Sequence, residues 1–171
     1  MNASATKVPP SAAWLGGLGA VPFIALAGAT PFITGPLRLL AIHALVAYGA
    51  TILSFLGGIH WGLAIGSETC ADQGRLPARL VLSVIPSLAA WAALLVSETP
   101  GLLTLALSVS AMLVVDVRAT RSGDAPPWYP KLRIPLTSMV VASLLLGVIV
   151  QINPGRGRSS GGGERSSSVI T

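Results

Sequence analysis

Residues Leu37–Ile65 read LRLLAIHALVAYGATILSFLGGIHWGLAI, a continuous apolar run with a single full charge, Arg38, near its start. A helix rises 1.5 Å per residue, so about 20 such residues cover the roughly 30 Å of hydrocarbon in a bilayer, and this run is long enough to cross with some tilt. The strict alternation of a barrel strand is missing. Lipid offers a backbone no hydrogen bonds, so a continuous apolar run satisfies its N–H and C=O groups as a helix.

The rest of the chain agrees with that start. Of 171 residues, 52% are hydrophobic and only 10% charged, whereas soluble domains carry about a quarter charged residues. Mean hydropathy is +0.74. Further apolar runs lie at about Ala12–Ala29, Ala78–Val96, Leu102–Val117 and Ile134–Gln151, the fourth span being the shortest. Between them stand turn-forming stretches: TPFITGP (Thr30–Pro36), GSETCADQGRLP (Gly66–Pro77), SETPG (Ser97–Gly101) and RATRSGDAPPWYPKLR (Arg118–Arg133). The expectation is an all-α polytopic bundle of five transmembrane helices, at about 12–29, 37–65, 78–96, 102–117 and 134–151. They form one domain over 12–152, after a short flexible N-terminus, 1–11. The tail from 153 to 171, centred on GRGRSSGGGERSSS, is too polar and glycine-rich to bury anything and is expected to be disordered. Small residues in ALAGA, ending at Ala29, would suit a signal peptidase. Pro22 within the run and a nearly uncharged start, with only Lys7, favour a retained span.

Lysine and arginine set the expected orientation. With five spans, one side of the membrane collects Lys7, Arg75, Arg79, Arg118, Arg121, Lys131 and Arg133, and the other collects Arg38, Arg156, Arg158 and Arg165. This places the N-terminus inside and the C-terminus outside, with the basic tail pulling mildly the other way. The formal charge of +5 comes from residues at span ends, not from one patch interleaved with aromatics, so no nucleic-acid partner is expected. The expected surroundings are a lipid bilayer, with room for a membrane protein partner or a homo-oligomer.

Metal and cofactor chemistry find little foothold. The lone cysteine, Cys70, has no cysteine neighbour for a disulfide or a metal site. Haem held between two helices would need two histidines facing each other. His43 and His60 both lie on the second span, about 26 Å apart along the axis and about 260° apart around it. No cofactor and no metal ligand set are expected.

On a helical wheel the second span carries two surfaces. Ala50, Ser54, Gly58 and Gly62 make a ridge of small residues, the arrangement that lets helix backbones approach in lipid; Trp61 flanks it, and Gly57 is a further expected packing position. His60 falls on a separate face with Leu53, Gly57 and Ala64, where it needs a polar partner. Depth narrows the choice. His60 and Trp61, Ser83 and Pro86, Asp116 and Arg118, and the segment PPWYPKLRIPLT with Trp128, Tyr129 and Arg133 all fall toward one side of the membrane. A carboxylate deep in lipid costs about 2.5–3.5 kcal/mol on insertion scales, so Asp116 is expected to pair with Arg118, Arg133 or His60. Each of these residues also has a plainer reading: histidine as a packing residue, and Trp128 with Tyr129 as headgroup-level anchors.

The blocks ILSFLGGIHWGLA, VIPSLAAW, the aspartate ending span four and PPWYPKLRIPLT resemble those of an uncharacterised membrane family that includes eukaryotic transmembrane protein 69, over about Trp14–Gly147. The resemblance implies a multi-pass inner-membrane protein of bacteria or mitochondria and brings no reaction with it. Three functions are open. The first is a small structural, assembly or interaction protein of an energy-transducing inner membrane, docking through the glycine ridge. The second is a proton-linked carrier or channel using His60 and Asp116, with unwound backbone at Pro22, Pro86 or Gly57-Gly58 lining a cavity and only His43 and Tyr48 continuing the path. The third is a membrane-embedded lipid or quinone enzyme with His60 as base and Asp116 orienting it. No nucleophile motif supports the third, and Ser67 and Glu68 match no catalytic pattern.

Overall fold

The computed structural model describes residues 7–66 and 76–153. Within them run α1 (Pro10–Ala29), α2 (Pro36–Gly66), α3 (Leu76–Leu95), α4 (Glu98–Arg121) and α5 (Tyr129–Ile152). All five are long and apolar enough to cross a membrane, and the described residues contain no strand. Expectations about Ser67, Glu68, Cys70, Arg75 and the tail beyond 153 lie outside the described residues.

Two helices are longer than their apolar runs. α4 begins at Glu98 instead of Leu102 and ends at Arg121 instead of Val117; α5 begins at Tyr129 instead of Ile134. Hydropathy marks only the part of a helix that suits hydrocarbon, and these helices continue into the interface on polar residues. Glu98 in the first turn of α4, and Arg118 and Arg121 in its last, complement the helix dipole. Pro130 sits in the first turn of α5, where an N–H has no helical partner to lose.

The expected unwinding at Pro22, Pro86 and Gly57-Gly58 does not occur: the helix is continuous through each. A proline removes one backbone bond and crowds the turn before it. In the turn before Pro22, the Gly19 carbonyl accepts a hydrogen bond from the Tyr48 hydroxyl at 2.9 Å, and the Tyr48 ring lies 4.9 Å from that of Phe23. Tyr48 is therefore a strut between α1 and α2, and its hydroxyl is already engaged.

α2 touches all four other helices, α3 flanks α2 and α4, and α1 flanks α2 and α5. The centre is thus α2, α4 and α5, filled by Ile42, Leu45, Leu53, Leu102, Leu105 and Leu144, all sealed from the surface. In lipid such packing contributes through close contact more than through water exclusion, which makes small residues at the seams important. A side chain at Gly57 would run into the Ser83 carbonyl and approach Pro86, and one at Gly101 would meet the Ala93 carbonyl at 2.7 Å. Of the small-residue ridge, Ala50 is buried and Ser54 half-buried, while Gly58 and Gly62 are exposed with nothing within 4 Å of an added Cβ. The seam inside the chain therefore runs along the Gly57 face, and Gly58 and Gly62 open outward.

Candidate functional site

Asp116 lies on the inward face of α4, 1% exposed. A bare carboxylate there would be costly, and both of its oxygens are engaged. Oδ1 lies 2.8 Å from His60 Nε2 on α2, and Oδ2 accepts from Arg133 Nε on α5 at 2.6 Å. Both side chains that meet it are about nine-tenths buried. An ionised Asp116 accepts both bonds, which puts the proton of a neutral His60 on Nε2, and the permanent charge of Arg133 balances the carboxylate. One side chain thereby ties the three central helices together. The cluster lies about 6–9 Å inside the helix ends, counting 1.5 Å per residue from Gly66, Arg121 and Tyr129.

The structure thus brings together His60, Asp116 and Arg133 from the expected cluster and sorts out the rest. Arg118 points elsewhere: it is exposed and borders a cavity, with no bond to Asp116. Two residues along a helix turn the side chain by about 200°, so a residue two past a buried one faces away. Trp61 is 44% exposed, facing outward from α2. Trp128 and Tyr129 meet edge to face at 6.0 Å. The Tyr129 hydroxyl is buried beside Asp116 without completing a hydrogen bond of good geometry to it. Ser83 and Pro86 belong to the α2–α3 seam; the Ser83 hydroxyl donates to the Leu80 carbonyl at 2.6 Å.

Two cavities flank the cluster. One of about 390 Å³ lies beside His60 and Leu63 and is bordered by Arg118 and by the Arg79–Asp124 ion pair, closed at 2.9 Å. The other, about 440 Å³ and mostly apolar, lies between α1, α2 and α5 and is bordered by Tyr129, Arg133 and Thr137. His60 faces the first, Arg133 faces the second, and Asp116 joins them. Two participants were not legible as such in the sequence. Thr137 is buried on the Arg133 face of α5, one turn further on, and a lone threonine in an apolar run carries no signal beyond that i, i+4 spacing. Asp124, in the α4–α5 loop, pairs with Arg79 in the first turn of α3, and opposite charges at the same side of the bundle were the available hint.

At the far end of α2, His43 Nε2 lies 2.8 Å from Glu98 Oε1, with side chains 56% and 26% exposed. Between this pair and Asp116 lies the apolar core, including Leu53, Leu102 and Leu105 at 0% exposure.

Comparison with known proteins gives the chain relatives of the same kind. A family model described as "Protein of unknown function (DUF3429)" matches residues 8–149. The chain belongs to this family. Its relatives include transmembrane protein 69 of Xenopus tropicalis, 35% identical over 139 residues, covering 74% of this chain and 53% of that protein. Transmembrane protein 69 of Mus musculus is 30% identical over 144 residues, covering 79% of this chain and 58% of that protein. The chain thus spans a little over half the length of these curated relatives. No solved structure matches the chain. The DUF3429 chain is a multi-pass membrane protein of a family of unknown function, as the resemblance in its sequence blocks implied.

Proposed function

We propose that this chain is a binding protein of the membrane, which holds a bilayer-borne ligand or partner at one face of a five-helix bundle against the His60–Asp116–Arg133 cluster. The observation that carries this reading is the placement of Asp116: a buried carboxylate bridging an imidazole and a guanidinium, with a cavity on either side of the bridge. Ionisable groups within a span are costly and default to function. The reading is one-sided. A channel or transmembrane relay needs polar groups at intermediate depth, and the apolar core between Asp116 and the His43–Glu98 pair argues against one.

Orientation is part of the proposal. Lys7, Arg79, Arg118, Arg121, Lys131 and Arg133 fall on the Asp116 side and Arg38 on the other, which supports an inside location for the cluster in a bacterial plasma membrane or a mitochondrial inner membrane. The deciding experiment is gentle extraction of the full chain from native membrane, followed by mass spectrometry of what stays bound. A species retained by the wild type and lost from Asp116→Asn supports the reading. A wild type that carries nothing beyond bulk lipid sinks it.

A second reading rests on a different observation. Gly58 and Gly62 open outward with free space around them, beside exposed Phe55 and Trp61, which suits docking of another transmembrane helix. Gly58→Leu and Gly62→Leu would then release a co-purifying protein or second copy while leaving the chain folded. Unchanged co-purification in both variants removes this reading.

A further inference from the structure

Each buried hydroxyl or charged group in this bundle would be expected to find a partner inside the protein, and most do. Buried Thr30 and Ser83 return their hydroxyls to the Ala27 and Leu80 carbonyls at 2.7 and 2.6 Å, and half-buried Ser110 bonds the Ala106 carbonyl at 2.7 Å. Thr137, 3% exposed, does not: its Oγ1 has no partner. Neither does the Nη2 of Arg133, 8% exposed, although the same guanidinium spends its Nε on Asp116. Unsatisfied buried donors are rare enough to need a reason, and these two share one place. Both line the 440 Å³ crevice between α1, α2 and α5, with the buried Tyr129 hydroxyl one turn away on the same face.

The rest of that crevice is apolar, walled by Phe23, Phe55, Ile59, Leu136 and Val140. Along α5 it extends from Trp128 to Val140, about 18 Å at 1.5 Å per residue, the length of a medium alkyl or prenyl chain. Its volume falls within the roughly 300–1,000 Å³ of small-molecule sites. Arg133 Nη2 can only donate, and the Thr137 hydroxyl can donate beside it, so a ligand that brings acceptors satisfies both. The charge balance narrows this further. Asp116 already neutralises Arg133, and a second buried carboxylate or phosphate would stand uncompensated beside it. Two donors one helical turn apart match two acceptors on one head, as in the opposed carbonyls of a quinone ring or the paired esters of a glyceride.

We propose that the α1–α2–α5 crevice binds an uncharged, carbonyl-headed amphiphile, its oxygens on Arg133 Nη2 and Thr137 Oγ1 and its chain along Phe23, Phe55 and Val140. The inference rests on the reading of the chain as a membrane binding protein and names the ligand class of that same cluster. It leaves the His60 cavity to its own role, since His60 borders only the other side of the bridge.

Trp128 borders the crevice, while Trp14, Trp61 and Trp91 are exposed on the outer surface of the bundle. In full-length protein carrying Trp14→Phe, Trp61→Phe and Trp91→Phe, quenching of Trp128 by decyl-benzoquinone reports occupancy. The expected result is a saturable quench, displaced by unlabelled dioctanoylglycerol and not by decanoate; the stronger competitor tells a quinone source from an ester-lipid source. Thr137→Val keeps the side-chain shape and loses the donor, and it weakens the saturable component by about 3- to 10-fold, one hydrogen bond's worth. Gly19→Leu fills the crevice from a position where an added Cβ meets nothing within 4 Å, and it removes the saturable component while thermal unfolding stays unchanged. Gly58→Leu, on the outer side of α2, leaves the quench intact. Non-saturable quenching, equal affinity in Thr137→Val and Gly19→Leu, or displacement by decanoate as good as by dioctanoylglycerol overturns the proposal. If those variants bind unchanged while Asp116→Asn still loses its native cargo, the binding-protein reading stands and only the crevice assignment falls.

Discussion

Both histidines of α2 meet a carboxylate at 2.8 Å, His60 with Asp116 and His43 with Glu98, and the two pairs differ in everything else. His43, two turns into α2, is 56% exposed and meets Glu98, itself 26% exposed, at the first residue of α4. His60 sits over a carboxylate with 1% exposure, and Arg133 completes a three-way link across α2, α4 and α5. The lesson is that distance says little about what an ion pair does. An exposed pair is worth about 0–1 kcal/mol because solvent replaces it readily. A buried one need not stabilise a fold, yet removing one partner leaves a charge that nothing else solvates.

Mutation is the direct way to break the comparison. Asp116→Ala strands the Arg133 guanidinium in a low-dielectric interior, and a loss of about 3–5 kcal/mol is expected in detergent-unfolding titrations. An Asp116→Ala protein as stable as wild type would mean that the cluster is solvated. The apolar triple change His60→Leu, Asp116→Leu and Arg133→Met sharpens the point, because removing the whole polar cluster together should leave the bundle folded with near wild-type stability while its retained ligand is lost. Ligand retention in that folded variant would separate the cluster from binding.

The next effect contrasts adjacent glycines. Gly57→Leu drives a side chain into the Ser83 carbonyl, which a helix backbone cannot yield, and overpacking of this kind costs about 1–3 kcal/mol or more. Gly58→Leu meets open space and should melt as wild type does. Equal melting of the two variants would contradict the seam. Smaller still is Tyr48→Phe, which deletes the bond to the Gly19 carbonyl and should cost about 0.6 kcal/mol, the average for interhelical hydrogen bonds in membranes. At the bottom of the scale, His43→Ala should change stability by less than about 1 kcal/mol, read in the same titration as Asp116→Ala.

How far the sequence reaches depends on what kind of force sets each feature. Span number and helical class follow from apolar run length, and α1 to α3 lie within two residues of the expected bounds because those runs end at loops. α4 and α5 exceed theirs because helix propensity and end charges continue a helix past the hydrocarbon, which hydropathy does not register. Asp116 needed a partner at its depth, and that constraint alone pointed to His60 and Arg133. It did not reject Arg118, because the apolar run ended at Val117 and left Arg118 in a loop; with α4 continuing to Arg121, the spacing of two residues turns it away from Asp116. Of the expected packing residues of α2, Gly57 approaches α3 while Gly58 and Gly62 open outward, because wheel geometry cannot tell which of two small-residue faces a neighbour occupies. Thr137 was invisible for a similar reason, since its interest lies in the bond it fails to make.

The central claim is that Asp116, held between His60 and Arg133, anchors a one-sided site for a bilayer-borne ligand. Its most direct test is quantitative mass spectrometry of lipophilic molecules that co-purify with the full chain, comparing wild type, Asp116→Asn and His43→Ala extracted side by side from native membrane. The account predicts a neutral carbonyl-headed species near one per chain in the wild type and in His43→Ala, and depleted in Asp116→Asn. The same lipid profile in all three proteins would contradict it.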